Sequence, residues 1–524
     1  MSKNLAVKSE KNNKNGNSQG GNEGNKPALA QFLKLFFAGN GTHNGKQDLA
    51  KAEDSFEFFQ KRKPDAPKIE ISNYETDNSR PRTIVRVLNN DRPFLVDSIV
   101  AEINRSGYKV FEIIHPILKL KRDEKGNFKE FSNEGQIESL IHIEIASITA
   151  SQKKQLEENL DTALKALYSA VSDWHSMLKI VDETISNLRT PSISYTKAEI
   201  NETIDFLLWL ADNHFTFLGY AEYKLDPKTK TLKAIEDTRL GVLKPEVTNQ
   251  DVLPKKLVYS DAEGTLAEIT KSDYKAVVHR SVYMDQIGIK KFDKDGNIVG
   301  ERLFLGLFAY SAYYQTASQI PIIRRKLDYV LAKSGFNSSS HSGKITRFIL
   351  DSYPRDEIFQ SSADQLHQNA NEILELMERP NVGLFLREEL HGRFISCLVY
   401  VPKEKFDTSL RHKIQEILEK DVNCVVTEYY TQITDSPLSR LHLILKPKDK
   451  GFAKYDAQEL QEKISNAADL WEEQLAHELF NTYGEKRGDA LYAKYEKAFP
   501  KDYTAIFSAE NAVFDIIKVE AALN

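Results

Sequence analysis

The stretch RTIVRVLNNDRPFLVDSIVAEINRSGYKVFEIIHPILKLKRD, Arg82–Asp123, read together with SLIHIEIASI, Ser139–Ile148, decides the fold. Ile84, Val85, Val87 and Leu88 make the opening segment a strand. NNDRP turns, and Pro93, with its φ held near −65°, suits a first helical turn. In the helix that follows, Val96, Ile99, Val100 and Ile103 share one face, and Gly107 stops it. YKVFEIIHPILKLKRD reads as a second strand and DEKGN as a hairpin turn. Ile141, Ile143 and Ile145 alternate through a further strand. Strand, helix, strand, hairpin, strand is the front of a βαββαβ ferredoxin-like unit.

The closing helix carries Leu160, Leu164, Leu167, Val171, Trp174, Leu178, Val181 and Ile185 at alternating steps of four and three, a heptad seam. Such a seam fits either a contact with another subunit or a stripe lying on the chain's own sheet. The second needs no partner and is the preferred reading. Upstream, residues 1–26 form a polar tail with nothing to bury, so disorder is expected. Residues 27–50 hold an apolar docking helix, opened by Pro27 and closed by Gly39, and a linker. Residues 51–190 are the first α+β domain with its long helix.

Pro191 punctuates, and 191–337 read as a second α+β unit: a helix EINETIDFLLWLADN, a strand FTFLGYAEYKL, and apolar runs joined through the hairpin signal DKDGN. Its last helix has Ile323, Leu327 and Val330 inward and Gly335 as cap. Residues 338–380 are a connector with two helical patches. Residues 381–450 form a third sheet-containing unit, with VGLFLREEL and RFISCLVYV joined by His391-Gly392 and a helix capped by Asp407 or Thr408. After Lys450, Leu460, Ile464, Ala467, Trp471 and Leu475 are spaced for one helical face in a segment, 451–524, that stays helical to the end.

Composition narrows the function. The 524 residues carry 71 Lys and Arg against 76 Asp and Glu, a formal charge of −5, which excludes a generally basic nucleic-acid binder. Two cysteines, Cys397 and Cys424, make neither a disulfide framework nor a four-cysteine zinc site. They sit in apolar strands as inert thiols, and a reduced, cytoplasmic setting is expected. No run is long enough to cross a membrane. GNGTHNG from Gly39 has Asn44 where a dinucleotide loop needs its third glycine, and GFNSSSHSGK has the wrong spacing for a P-loop. No catalytic residue, metal ligand or cofactor site is identified.

Four polar groups stand out. His142 and Glu144 share one face of a strand and read as a polar pair on the sheet surface. His341, Lys344, Arg355, Asp356 and Glu357, in SHSGK and YPRDEIF, read as an interdomain ion-pair cluster. Arg324-Arg325-Lys326 reads as a solvated face. The loop Asn89, Asn90, Asp91, Arg92 lies between a strand and a helix N-terminus, where backbone N–H groups favour an anion. Asp91 as a simple N-cap is the competing reading of that loop.

VRVLNNDRPFLVDSIVAEI, FTFLGYAEY, VHRSVYMDQIGIKKFD, GLFAYSAYY with IPIIRRKLDYVL, SHSGK with YPRDEIFQ, and FLREELHGRFISCLVYVPKEKFDTSLR together resemble the N-terminal half of the large bacterial NAD-dependent glutamate dehydrogenases. The resemblance implies an α+β chain of tandem ferredoxin-like (ACT/PAS-like) domains with antiparallel sheets, linked by long helices. It implies allosteric control by an amino-acid effector, bound at Asn89, Asn90, Asp91 and Arg92, and a homo-oligomer or a partnership with the catalytic portion. It implies the reaction of L-glutamate and NAD to 2-oxoglutarate, ammonia and NADH. NAD belongs to the full-length enzyme; this segment is expected to lack the catalytic domain, to bind no cofactor and to be inactive alone. The rival is a free-standing ACT-like amino-acid sensor or scaffold. No nucleic-acid or membrane partner is expected.

Overall fold

The computed structural model describes residues 26–38, 46–74, 81–190, 193–247, 256–258, 265–389, 392–449 and 451–523. The tail up to residue 25, Gly39, Pro191 and His391 lie outside them. The described residues form two compact bodies. One takes those within 1–194, 215–267 and 271–307, the other those within 195–214, 268–270 and 308–524. The segment 191–337, read as one unit, contributes to both.

The first body opens with α1 (Lys26–Phe36) and α2 (Lys46–Phe59). Then come β1 (Lys68–Tyr74), β2 (Arg82–Asn90), α3 (Leu95–Arg105), β3 (Val110–Ile114), β4 (Ile117–Arg122), β5 (Phe128–Phe131), β6 (Gln136–Ala146) and α4 (Ala150–Leu188). The sheet order is β1-β2-β6-β4-β5, with β3 also on β6. Two expectations are corrected. The single strand expected over Tyr108–Asp123 is two, broken at His115-Pro116, because proline has no N–H for the ladder. The fourth position of the ferredoxin-like sheet is filled by β1, which precedes the unit instead of following it and pairs Lys68–Tyr74 antiparallel with Leu88–Arg82.

Alternation sends Val85, Val87, Ile141, Ile143 and Ile145 to one face, under α3 and α4. Leu88, Leu118, Leu120 and Leu140 take the other, under Phe32 and Phe36 of α1 and Phe56, Phe58 and Phe59 of α2. Each fully buried phenylalanine contributes about 1.5–3 kcal/mol, so α1 and α2 form an integral layer. Helix α4 starts in a capping box between Thr149 and Gln152 and runs 39 residues. It lies on the chain's own sheets, but its buried stripe drifts from the heptad: Met177 is buried and Trp174 is exposed. A straight helix loses register with a 3.5-residue repeat by about 20° per heptad.

The same core takes in a second sheet, built of β7 (Phe215–Asp226), β8 (Thr231–Gly241), β9 (Lys256–Val258), β10 (Ala267–Lys275), β11 (Tyr283–Phe292) and β12 (Ile298–Phe308) in the order β10-β11-β12-β7-β8-β9. Its first strand, β7, thus lies beside its last, β12. Midway along α4, Ser169 Oγ donates to the Gly241 carbonyl at 2.9 Å. At its far end Asn187 exchanges two hydrogen bonds with the Phe292 backbone, at 3.1 and 3.2 Å.

The second body contains α5 (Lys197–Trp209), α6 (Tyr310–Tyr314), α7 (Ile323–Ser334), α8 (His341–Ser352), α9 (Arg355–Gln360) and α10 (Ala363–Glu378). The third sheet follows: β13 (Gly383–Glu388), β14 (Ile395–Pro402), α11 (Thr408–Asp421), β15 (Cys424–Gln432), β16 (Leu438–Pro447) and α12 (Ala457–Ala468). Its order, β13-β14-β16-β15, repeats the first sheet's plan, again with the outer strand supplied from upstream. Asp407 caps α11 through Leu410 N–H at 2.7 Å. The single helical face expected from Leu460 to Leu475 is instead broken at Asp469-Leu470, where Asp469 is extended (φ −65°, ψ 135°). Beyond the break, α13 (Trp471–Tyr483), α14 (Glu485–Tyr495), α15 (Lys501–Ile506) and α16 (Ala509–Leu523) make a separate helical core around Leu475, Leu479, Val513 and Ile516.

Candidate functional site

The β2–α3 loop is held from below by a buried ion cluster absent from the sequence reading. Arg122 grips Glu138 with Nε on Oε1 (2.8 Å) and Nη2 on Oε2 (2.7 Å), while Arg62 donates to Oε1 from Nη2 at 2.9 Å. All three are buried: 0% exposed for Glu138, 2% for Arg62 and 5% for Arg122. Burial pushes the Glu138 carboxyl up, but the two guanidinium groups win and hold it below the usual carboxylate range. The spare Arg62 Nη2 hydrogen goes to Asn90 Oδ1 at 2.5 Å.

Each loop residue is thereby placed. Asn89 is buried and its Oδ1 accepts from Asn90 N–H at 2.9 Å. Asp91 is exposed, and its Oδ1 accepts from Ser139 Oγ at 2.6 Å, next to His115, whose pKa burial lowers. The Arg92 guanidinium lies 4.1 Å from the Tyr168 ring centre. Asp91 does not cap α3, and Pro93 stands outside its first turn. Phe94 occupies the N-cap at φ 65°, ψ 8°, with no side-chain cap. A left-handed phenylalanine is costly, of the order of 1–3 kcal/mol. Contacts hold it there. Ser98 Oγ donates to its carbonyl (2.6 Å) and accepts from His279 N–H (2.9 Å). The His279 ring lies 4.7 Å from the Phe94 ring, with Nδ1 3.2 Å from Asp97 Oδ2. His279 is itself left-handed, at φ 70°. The first N–H groups of α3 thus have no side-chain cap and carry the positive end of the helix dipole.

The other polar groups are corrected by what covers them. His142 and Glu144 are not on a sheet surface, because α2 seals that face. The His142 Nδ1 meets Ser55 Oγ at 3.0 Å, Glu144 pairs with Lys51, and burial takes the imidazole down to about 3. The five-residue cluster is not brought together. His341 and Lys344 are exposed in the first turn of α8. Arg355 is spent on the carbonyls of Asp351 (2.9 Å) and Gln315 (3.2 Å). Asp356 is half-buried on α9. Glu357 is buried against the third sheet, taking Nε and Nη2 of Arg387 at 2.8 and 2.7 Å. Of the basic triplet only Arg325 is solvated. Arg324 pairs with Glu202 and Asp205, and Lys326 Nζ caps the end of α9 at the carbonyls of Ile358, Phe359 and Ser361 (2.9, 2.7 and 2.7 Å). Cys397 and Cys424 are buried free thiols with raised pKa, Cys424 to about 11. Among the described residues no group of His, Cys, Asp and Glu is arranged to hold a metal, and no helix is long and apolar enough to cross a membrane.

Comparison with known proteins assigns the segments. Residues 42–160 match the family model "Glutamate dehydrogenase, ACT1 domain", and 383–472 the ACT2 domain. Residues 320–379 match its helical motif 1 and 478–522 its helical motif 2. The chain is 33% identical over 481 residues to the NAD-specific glutamate dehydrogenase of Halomonas elongata, covering 88% of this chain and 30% of that protein. The Pseudomonas aeruginosa relative is 31% identical over 507 residues, covering 93% and 31%. The Mycobacterium tuberculosis one is 23% identical over 442, covering 80% and 26%. The chain therefore spans under a third of the length of these relatives.

Proposed function

We propose that this chain, a member of the large NAD-dependent glutamate dehydrogenase family by its ACT and helical-motif domains, is the regulatory portion of such an enzyme and senses an amino acid. The order of the four matched segments carries this reading. Hydride transfer between L-glutamate and NAD is assigned to the full-length enzyme, and no residue of this segment is given a catalytic role. The effector's α-carboxylate is placed at the uncapped first turn of α3. Asp91, held by Ser139, is placed against its α-ammonium. Arg92 flanks an acidic side chain, while Asn89 and Asn90 fix the loop. We further assign the chain to the cytoplasm and to a homo-oligomer.

Calorimetry with the standard amino acids, on wild type and Asp91→Ala, tests the site. One amino acid is expected to bind, and the substitution to weaken it by about 1.5–3 kcal/mol, the scale of a charge-assisted hydrogen bond. Glutamate with NAD is expected to give no NADH from residues 1–524 alone. Binding of no amino acid would overturn the effector reading, and NADH formation would overturn the division of labour.

A further inference from the structure

The face of the third sheet that meets α8 and α10 carries a row of three polar side chains. Tyr400 of β14 is paired with Arg440 of β16, and Arg440 with Gln432 of β15. Directly opposed residues share a face. The row lines a cleft of about 30 Å³ whose other wall is Phe348 of α8 with Ile373 and Met377 of α10. Each member of the row has a donor to give. Arg440 sends Nη1 to the Ser352 carbonyl at 2.6 Å and makes no ion pair among the described residues. The carbonyl end of α8 carries about half a unit of negative charge and offsets part of the guanidinium; Arg355, at the same helix end, has Asp351 beside it. Tyr400 is 8% exposed. Burial raises the pKa of its hydroxyl, and the Arg440 hydrogen bond opposes that rise. A hydroxyl that accepts from a guanidinium keeps its own hydrogen to donate. The half-buried Gln432 amide is unengaged among the described residues. No Asp or Glu lines the cleft, and Lys403 adds a cation at its rim, with Nζ 2.7 Å from the Thr434 carbonyl.

We propose that this cleft binds a short-chain aliphatic monocarboxylate. Three donors and a positive charge converge there with no acceptor of opposite charge, the arrangement that a carboxylate completes. The carboxylate sits on Arg440, Tyr400 and Gln432, and the chain lies over Phe348, which is 45% exposed. Size and charge select the class. A volume of about 30 Å³ is that of one or two waters, so the cleft takes a carboxylate group and leaves the rest of the ligand on the apolar wall. With no Asp or Glu in the lining, the ammonium of an α-amino acid would be desolvated without a partner. A single guanidinium suits one carboxylate, not two. The inference does not rest on the amino-acid reading of the β2–α3 loop. A ligand of this size is expected to bind with a Kd on the order of 1 mM.

Saturation-transfer NMR of the 524-residue chain at constant ionic strength, with pentanoate as the probe, tests the proposal. Pentanoate is expected to saturate. Pentanamide, of the same shape without the charge, is expected to bind about tenfold more weakly, and norvaline is expected not to displace pentanoate. Tyr400→Phe, which removes one hydroxyl, should weaken pentanoate about fivefold. Phe348→Asp, at an exposed position, should remove the apolar wall and repel the anion, and Arg440→Gln should abolish binding. Melting temperatures serve as the folding control; Arg440 also holds the Ser352 carbonyl, so the other two variants carry the test if Arg440→Gln does not fold. No saturation by pentanoate up to about 20 mM, equal binding of pentanamide, or displacement by equimolar chloride or norvaline would overturn the ligand class. Binding left unchanged by both Tyr400→Phe and Phe348→Asp would overturn the site.

Discussion

Glu357 offers a direct test of how the second body is held together. Its carboxylate is buried between α9 and the third sheet and takes both arms of Arg387. Burial raises its pKa, but Arg387 and the neighbouring His442 win, and it falls from 4.5 to about 2. At 1.36 kcal/mol per pH unit that fall corresponds to about 3 kcal/mol. The sign follows from the depressed value. The contribution is fully present above about pH 4.5, where the unfolded carboxyl is already ionised, and is lost as pH drops toward 2. Glu357→Gln removes the charge at every pH and leaves the Arg387 guanidinium buried without its counter-ion, a change worth about 3–5 kcal/mol. Urea unfolding of wild type and Glu357→Gln, followed by circular dichroism from neutral pH down to pH 2, should show a gap of about 3 kcal/mol at pH 7 that closes through the acid range. Pairing Glu357→Gln with Arg387→Met should recover part of the loss, since neither member of the pair then carries a charge. A gap below about 1 kcal/mol at neutral pH, the range of an exposed pair, or one that does not narrow in acid, would refute the reasoning.

Two further outcomes are expected. Lys326→Met keeps the alkyl stem but leaves the last carbonyls of α9 without their donor, and should lower stability by about 1–3 kcal/mol in the same unfolding assay. Cys397 and Cys424, buried and with raised pKa, should resist iodoacetamide in the native chain and be modified in urea, as read by mass spectrometry; rapid native labelling would contradict their placement.

The sequence carried the strands and helices whose periodicity is strong, and it misled where a neighbour decides the outcome. Ile141, Ile143 and Ile145 announce a face, but nothing in a period of two says that α1 and α2 will cover the opposite one. His142 and Glu144 therefore looked solvated. Strand β1 is legible in the alternation of Ile69 and Ile71, but a charged, proline-bearing segment beside it masks the signal. The break between α12 and α13 hides because Leu460, Ile464, Trp471 and Leu475 keep helical spacing across it; the local signal is Glu473, whose side chain takes the Leu470 N–H at 2.9 Å. At the candidate site, the Asn-Asn-Asp-Arg loop was visible as a strand–helix junction. Arg62, Ser139 and His279, which decide what each loop residue can do, come from distant parts of the chain and leave no trace in local spacing.

Because the outer strand of the first sheet comes from upstream, that sheet is complete before α4 begins, and α4 is free to continue. At 1.5 Å per residue its 39 residues span about 58 Å, and it behaves as a shaft fixed at several bearings. Leu156 and Leu160 sit in the core shared with the first sheet, Ser169 is tied to β8, and Asn187 is tied to β11. Turning the shaft by one residue, 100°, would unseat all three bearings together. A change in how either sheet sits on α4 therefore acts on a helix that the other sheet also holds.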